Sequence, residues 1–158
     1  MAIVTGSSRG IGKAIALGLA AEGCHVAICA RGEEALRQAA AEIEARGVRV
    51  SSHHLDMSQL DSVRGFAGAA LEEFGRIDIL INNAGILRDR SLVKMQPEDW
   101  EAVLAVHLDA AYAVTKPAFV RMKEQGFGRI VMTTSAAGLF GNFGQTNYSA
   151  AKLGLVGF

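Results

Sequence analysis

Apolar positions along this chain switch between two periods. Short runs with strand character cover Ala2 to Thr5, His25 to Cys29, Val48 to Ser52, Ile77 to Ile81 and Ile130 to Thr134. Between them the apolar residues recur at helical spacing, over Ile11 to Glu22, Glu33 to Ala45 and Leu60 to Phe74. A longer helical region runs from about Pro97 to Gln125, with interruptions expected near His107 and Pro117, and a last helix starts near Asn147 and runs to the final residue. Strands that alternate with helices predict parallel pairing through right-handed crossovers. The expected fold class is therefore α/β, a doubly wound, Rossmann-like parallel sheet covered on both faces. No repeat, low-complexity stretch or linker divides the chain, so one domain over residues 1–158 is expected.

Two features predict that this domain is incomplete at its C-terminus. The last helix reaches Phe158 with no glycine cap. The strand Ile130 to Thr134 is expected at a sheet edge, where an apolar strand without protection is a liability.

Sixteen basic residues balance sixteen acidic ones, so no overall field favours nucleic acid or a membrane surface. No uninterrupted apolar run approaches the ~18 residues that a membrane span needs, and no leader pattern opens the chain. A cytoplasmic setting is the expectation. Cys24 and Cys29 fit no metal spacing and are expected as two buried thiols. His53 and His54 are adjacent at a strand end, point to opposite faces and are expected as a solvated pair. Trp100 is expected to anchor the start of its helix in the core. No metal site is predicted.

Eighteen glycines against two prolines is the one compositional skew. Part of it lies in Thr5-Gly6-Ser7-Ser8-Arg9-Gly10-Ile11-Gly12, between the first strand and the first helix. Gly6 allows a sharp turn, Gly10 lets backbone amides approach a phosphate, and Gly12 keeps the helix close to the strand. The helix start then offers N–H donors and dipole to a pyrophosphate. At the tip of the second strand, Cys29-Ala30-Arg31-Gly32 lacks the carboxylate that would hold an NAD ribose. Arg31 stands just past that position and Arg9 lies in the loop. Two guanidiniums suit a 2′-phosphate, so NADP(H) is the expected cofactor ahead of NAD(H).

Tyr148 and Lys152 are four residues apart, on one helix face, and Ser135 lies thirteen residues upstream of the tyrosine. A free phenol has a pKa of about 10, and a fixed cation beside it favours the phenolate. A phenol, an ammonium and a hydroxyl could thus act on one carbonyl oxygen.

With TGSSRGIG, Asn82-Asn83-Ala84-Gly85 after the fourth strand, Ser135 and the Tyr148/Lys152 pair, the chain resembles the short-chain dehydrogenase/reductase family over essentially its whole length. The resemblance implies Tyr148 as proton donor or acceptor and Ser135 as hydrogen-bond donor to the substrate oxygen. It implies Lys152 on the nicotinamide ribose, Asp56 at the adenine, and Asn83 and Gly85 near the adenine ribose. Gly6, Ser8, Arg9, Gly10, Ile11, Gly12, Arg31, Met57 and Ala84 join them as cofactor contacts. The family usually carries asparagine in the long helix where this chain has His107, which is expected either in the proton relay or as a satisfied interior histidine.

That histidine looks like the dehydrogenase unit of multifunctional enzyme type 2 and its bacterial relatives, which act on 3-hydroxyacyl-CoA. Ile86-Leu87-Arg88-Asp89-Arg90 and Gly141-Asn142-Phe143-Gly144-Gln145 are similar both to that group and to β-ketoacyl carrier-protein reductases. The implied activity is NADP(H)-dependent interconversion of a 3-oxoacyl and a 3-hydroxyacyl thioester, in a homodimer or homotetramer. An NAD-dependent alcohol or steroid dehydrogenase and a non-catalytic dinucleotide-binding module remain the alternatives.

Overall fold

The structure, a computed structural model, describes all of residues 1–158. Its centre is a parallel sheet of five strands: β1 (Ala2–Thr5), β2 (Val26–Ala30), β3 (Val50–His54), β4 (Ile79–Asn82) and β5 (Arg129–Met132). Their order is β3-β2-β1-β4-β5, so the chain winds outward from β1 in both directions. The crossovers are α1 (Gly10–Ala21), α2 (Glu33–Glu44), α3 (Leu60–Phe74), and a long helical rod made of α4 (Pro97–Leu104), a π-helical turn (Ala105–Asp109) and α5 (Ala110–Gln125). Two further helices follow β5: α6 (Ala136–Phe140) and α7 (Thr146–Gly157).

Side chains alternate across each strand and divide the core in two. Val4, Val26, Ile28 and Ile81 pack with Ala16, Ala20, Leu36 and Ile43 from α1 and α2. Ile3, Ala27, Cys29 and Leu80 face the other way, onto Val63, Phe66 and Ala70 of α3 and Ala110, Val114 and Ala118 of α5. A parallel sheet buried on both faces needs this continuous apolar reading along its strands. β5 lies at the edge, as expected, with Val131 about half exposed.

Several boundaries move. β3 begins at Val50 and not at Val48, because its register with β2 pairs Val26 with Val50 and Ala30 with His54. β2 starts at Val26 and β4 at Ile79, each one or two residues later than the apolar runs suggest. Pro117 does not interrupt the long helix; it lies inside α5, and the buried side chains of Ala113, Val114, Ala118 and Met122 hold that helix on the sheet across the one missing N–H. Trp100 is exposed, and Val103 is the buried residue of α4. Cys24 is only partly buried, while Cys29 is enclosed. His53 and His54 are both engaged: His53 Nε2 lies 2.8 Å from Ser51 Oγ, and His54 Nε2 lies 2.8 Å from the Arg31 carbonyl oxygen. The helical rod Pro97–Gln125 is long and apolar enough to cross a membrane, with half of its most apolar stretch buried inside the protein, where α5 forms part of the core.

Candidate active site

The ends of β1 and β4 meet the start of α1 in a tightly interlocked corner. Thr5 Oγ1 donates to the Ile81 carbonyl (3.3 Å) and accepts from the N–H groups of Asn83 (3.0 Å) and Ala84 (3.1 Å). The Asn83 amide donates to the carbonyls of Thr5 (3.1 Å) and Gly6 (3.2 Å). Gly6 turns at φ +65°, and a Cβ there would stand 2.7 Å from Ala84 Cα. At Gly12 a Cβ would run into the Gly6 carbonyl oxygen and the Asn83 amide nitrogen, so only glycine lets α1 start this close to the strand end. Gly10, at φ +58°, has open space where its Cβ would be. No side chain caps the twelve-residue helix α1 and no acidic residue lies in its first turn. Its leading N–H donors are therefore free for an anion. Ser7 closes the corner from behind, accepting from the Cys29 N–H at 3.2 Å. Ser8 is half-buried, and Arg9 and Ile11 are exposed around the rim.

Arg31 follows β2 directly, and its guanidinium stands 3.9 Å from a carboxylate oxygen of Asp56. Asp56 also accepts from the N–H (2.8 Å) and the hydroxyl (2.9 Å) of Ser58, and these bonds with the Arg31 charge hold its pKa below the ordinary carboxylate value against the opposing effect of burial. Met57 is buried, with its sulfur 3.9 Å from Cys29 Sγ.

The second corner lies beyond β4 and β5. Tyr148 is half-buried on the first turn of α7, and its ring meets the His107 ring edge-on at 5.2 Å between centroids. One turn on, the Lys152 ammonium stands 5.6 Å from the centre of the Tyr148 ring and donates to the Thr133 carbonyl at the end of β5. Lys152 is only 3% exposed and has no carboxylate partner, so burial lowers its pKa from 10.5 to about 8. Ser135 caps α6, accepting from the Ala137 N–H at 3.2 Å, which leaves its own O–H free to donate. It sits next to Thr134, whose hydroxyl donates to the Lys152 carbonyl at 2.9 Å. Gly138 allows α6 and α7 to touch, since a Cβ there would lie 2.9 Å from the Leu153 nitrogen. The Tyr148 ring thus lies beside both the His107 ring and the Lys152 ammonium, and Ser135 opens the helix α6 that packs on α7.

His107 lies in the π-helical turn, a local widening frequent at functional sites. It is buried, and desolvation first, then the Lys152 charge, takes its pKa down to about 4 despite the opposing bond to Ile86. The ring is therefore neutral at physiological pH. Its Nε2 lies 3.0 Å from the Ile86 nitrogen and 2.8 Å from the Ile86 oxygen. Gly85 makes room for it: a Cβ on Gly85 would collide with the imidazole.

Sequence reasoning missed Asn147. It is fully buried; its amide donates to the carbonyls of Arg88 (3.1 Å) and Asp99 (2.9 Å), and its oxygen accepts from the Tyr148 N–H (2.8 Å). This residue fixes the start of α7 and hence the height of Tyr148. Asn147 is the second residue of α7, and its place at the start of the last helical run is the one local signal that pointed to it. Away from both corners, Ser51, His53 and Glu73 form a compact cluster, but Glu73 accepts from the serine hydroxyl and not from the imidazole. Ser51 is also buried, so the cluster is not arranged as a nucleophile, base and orienting acid.

The family model described as short chain dehydrogenase matches residues 1–158. The chain is 45% identical over 159 residues to the 3-oxoacyl-[acyl-carrier-protein] reductase of Synechocystis sp., covering 100% of this chain and 64% of that protein. It is 42% identical over 164 residues to mouse peroxisomal multifunctional enzyme type 2, covering 98% of this chain and 22% of that protein. The solved structure of NAD+-bound xylitol dehydrogenase superposes with a TM-score of 0.93 at 33% identity, over 99% of this chain and 60% of that one. The chain therefore spans less than two thirds of the length of each of these relatives. With the fold, the glycine corner and the Tyr148/Lys152 corner all in place, the matched model shows that this chain belongs to the short chain dehydrogenase family.

Proposed function

We propose that residues 1–158 form the dinucleotide-binding, catalytic part of an NADP(H)-dependent oxidoreductase that interconverts 3-oxoacyl and 3-hydroxyacyl thioesters. The observation that carries the reading is Lys152: a buried ammonium with no carboxylate partner, one turn from a half-buried tyrosine. Burying an unpaired cation is costly, and such a group is a functional-site candidate when it lies beside a potential acid or base. The residues fit a dinucleotide, because the uncapped start of α1 and the open space at Gly10 leave donors and room for a pyrophosphate.

Gly6, Ser8, Arg9, Gly10, Ile11 and Gly12 would hold the pyrophosphate, and Asp56 and Met57 the adenine. Asn83, Ala84 and Gly85 would line the adenine ribose, with Asn83 acting through the loop backbone it clamps. When bound, the nicotinamide supplies or accepts the hydride at the substrate carbon. Tyr148 gives a proton to the carbonyl oxygen in reduction and takes it back from the hydroxyl in oxidation. Ser135 donates its free O–H to the same oxygen. Lys152 holds positive charge beside the phenol and binds the nicotinamide ribose.

NADP(H) is proposed because β2 ends in Ala30 and Arg31 and supplies no carboxylate for a ribose 2′-hydroxyl. NAD(H) is the second reading, favoured by the NAD+-bound structural neighbour and by Arg31 being turned towards Asp56. The acyl thioester follows the carrier-protein reductase and multifunctional enzyme relatives. Assembly into a homodimer or homotetramer is proposed with it, supported by Tyr112, Phe119 and Val120 exposed on α5. The unpaired thiols of Cys24 and Cys29 suit the proposed cytoplasmic setting.

Initial rates with NADPH and NADH, on a 3-oxoacyl thioester series and on simple ketones, test the assignment. The expected result is faster turnover of the thioesters with NADPH. Turnover of alcohols or simple ketones alone would replace the substrate class, and no turnover with any of them would favour a pure binding module.

A further inference from the structure

Residues 86–90 have no regular secondary structure, and Arg88, Asp89 and Arg90 are exposed. Yet each of these three is bonded to the run that leads into α7. The Arg88 carbonyl accepts from the Asn147 amide at 3.1 Å, Asp89 Oδ2 accepts from Gln145 Nε2 at 3.0 Å, and the Arg90 N–H donates to the Gly144 carbonyl at 2.8 Å. The side-chain bonds join residues 59 and 56 positions apart, so no local turn accounts for them. The partners follow one another in reverse chain order, which lays the two segments antiparallel as a clasp.

Gln145 is held at both ends of its amide. An ionised carboxylate only accepts hydrogen bonds, so Asp89 draws the Gln145 nitrogen, and Gln145 Oε1 then accepts from the Asn142 amide at 2.9 Å. Gln145 is also the N-cap of α7, and its carbonyl accepts from the Ser149 N–H at 2.7 Å. Tyr148 stands in the turn that this bond closes. The clasp encloses no core: Phe143 at its tip is 90% exposed and Leu87 is 52% exposed. Its bonds therefore serve orientation and not the burial of apolar surface.

The other end of the segment reaches the same tyrosine. Ile86 lies 3.0 Å (nitrogen) and 2.8 Å (oxygen) from His107 Nε2, and the His107 ring meets the Tyr148 ring edge-on. From Tyr148 the contacts return through its N–H to Asn147 Oδ1 at 2.8 Å, and from the Asn147 amide to Arg88, two residues from Ile86. The ring and the backbone of Tyr148 are thus both referenced to residues 86–90. We infer that Asp89 and Gln145 are a positioning pair for Tyr148: their bond holds residues 86–90 against the start of α7 and so sets where the phenol stands, which rests on the proton-transfer role proposed above for that phenol. Neither residue acts on the reacting atoms.

The test compares kcat, KM, the dissociation constant for NADPH, the melting temperature and hydrogen exchange over residues 146–152 in the unaltered protein and its variants. Asp89→Ala should lower kcat about three- to ten-fold, short of the ~100-fold that a 1 Å misplacement costs, because Asn147 still holds Arg88. Exchange over residues 146–152 should quicken, while NADPH affinity and melting temperature stay as they were. Gln145→Glu sets carboxylate against carboxylate and should lose as much. Asp89→Asn keeps an acceptor and should stay near the unaltered rate. Combined with Gln145→Glu it lets donor and acceptor trade places, and the rate should recover. An unchanged kcat in Asp89→Ala, or no recovery in the combined variant, overturns the pair. So does a loss of NADPH affinity or melting temperature in step with kcat, which would make the bond a structural tie. Turnover retained in Tyr148→Phe, or absent from the unaltered protein, removes the proton-transfer reading and the pair with it; turnover lost in Tyr148→Phe but kept in Asp89→Ala removes the pair alone.

Discussion

At the end of β1, the Thr5 hydroxyl makes three hydrogen bonds, the Asn83 amide donates to two carbonyls, and the positions of Gly6 and Gly12 are set by atoms they would otherwise strike. At the ends of β4 and β5, the polar groups are buried but underpaired: Lys152 has a single carbonyl partner, and both His107 Nδ1 and Asn82 Oδ1 lack a protein partner. One corner is held by shape and neutral hydrogen bonds, the other by desolvated titratable groups. The first should respond to volume and ignore pH. The second should respond to pH and tolerate volume only where it preserves charge. Stability is thus concentrated in the corner proposed to grip phosphate, while the corner proposed for proton transfer gives some of it up.

The largest effect that can separate the two comes from Tyr148→Phe. Removing the phenol oxygen should cut turnover by about 10²–10⁴-fold and leave cofactor affinity and melting temperature nearly unchanged. A variant with normal rates would end the proton-transfer role.

The next effect belongs to the glycine corner. Gly12→Ala forces a methyl into the Gly6 carbonyl and the Asn83 amide and should destabilise by about 1–3 kcal/mol or more, with a loss of cofactor binding. Gly10→Ala, in open space, meets only the left-handed backbone penalty of about 1–2 kcal/mol. Chemical denaturation of both variants checks the order, and equal losses would refute the steric account of Gly12.

A pH dependence follows on the other side. His107 titrates at about 4 in the folded protein against 6.5 when free. Between those values the unfolded chain binds the extra proton, so this stabilising contribution is complete above pH 6.5 and is lost as pH falls through 4. Asp56, and Asp78 through its hydrogen bonds from Arg76 and the N-terminal amine, titrate below their ordinary value of 3.8, and their losses fall in a lower window. Melting curves from pH 4 to 7 should therefore flatten in His107→Asn, and an unchanged slope would contradict burial of a neutral ring. The smallest effect is expected from Arg31→Ala, an exposed site: a several-fold drop in the preference for NADPH over NADH, with little change in stability. Equal preference in both proteins would remove the arginine from cofactor selection.

The alternation of strands and helices and the two corners were legible in the sequence because each rests on local signals: period, glycine spacing, and the four-residue step from Tyr148 to Lys152. What escaped is long-range. Asn147 works through Arg88 and Asp99, 59 and 48 residues away, so nothing beside it announces its burial. The fit between Gly85 and the His107 ring is likewise a match across two elements. β3 slid by two residues because its register is chosen by β2 and not by its own apolar run. Pro117 misled for the opposite reason: a strong local signal was overridden by buried contacts along α5.

Lys152 joins the two halves of the account, and its titration is the most direct test. Its pKa of about 8 in the folded protein against 10.5 when free means that the unfolded chain holds the extra proton between those values. Stability attributable to this group must therefore rise from pH 8 to 10.5. Cys29, pushed up to about 12 by burial, pulls the other way above pH 9 in any variant that retains it and so cancels in a comparison. Unfolding free energies of the unaltered protein and Lys152→Met, measured from pH 7 to 10.5 beside turnover, should show the rise only in the former and turnover only in the former. The same rise in both proteins, or a Met variant that still turns over, would contradict the claim that a buried, unpaired lysine is kept here for chemistry.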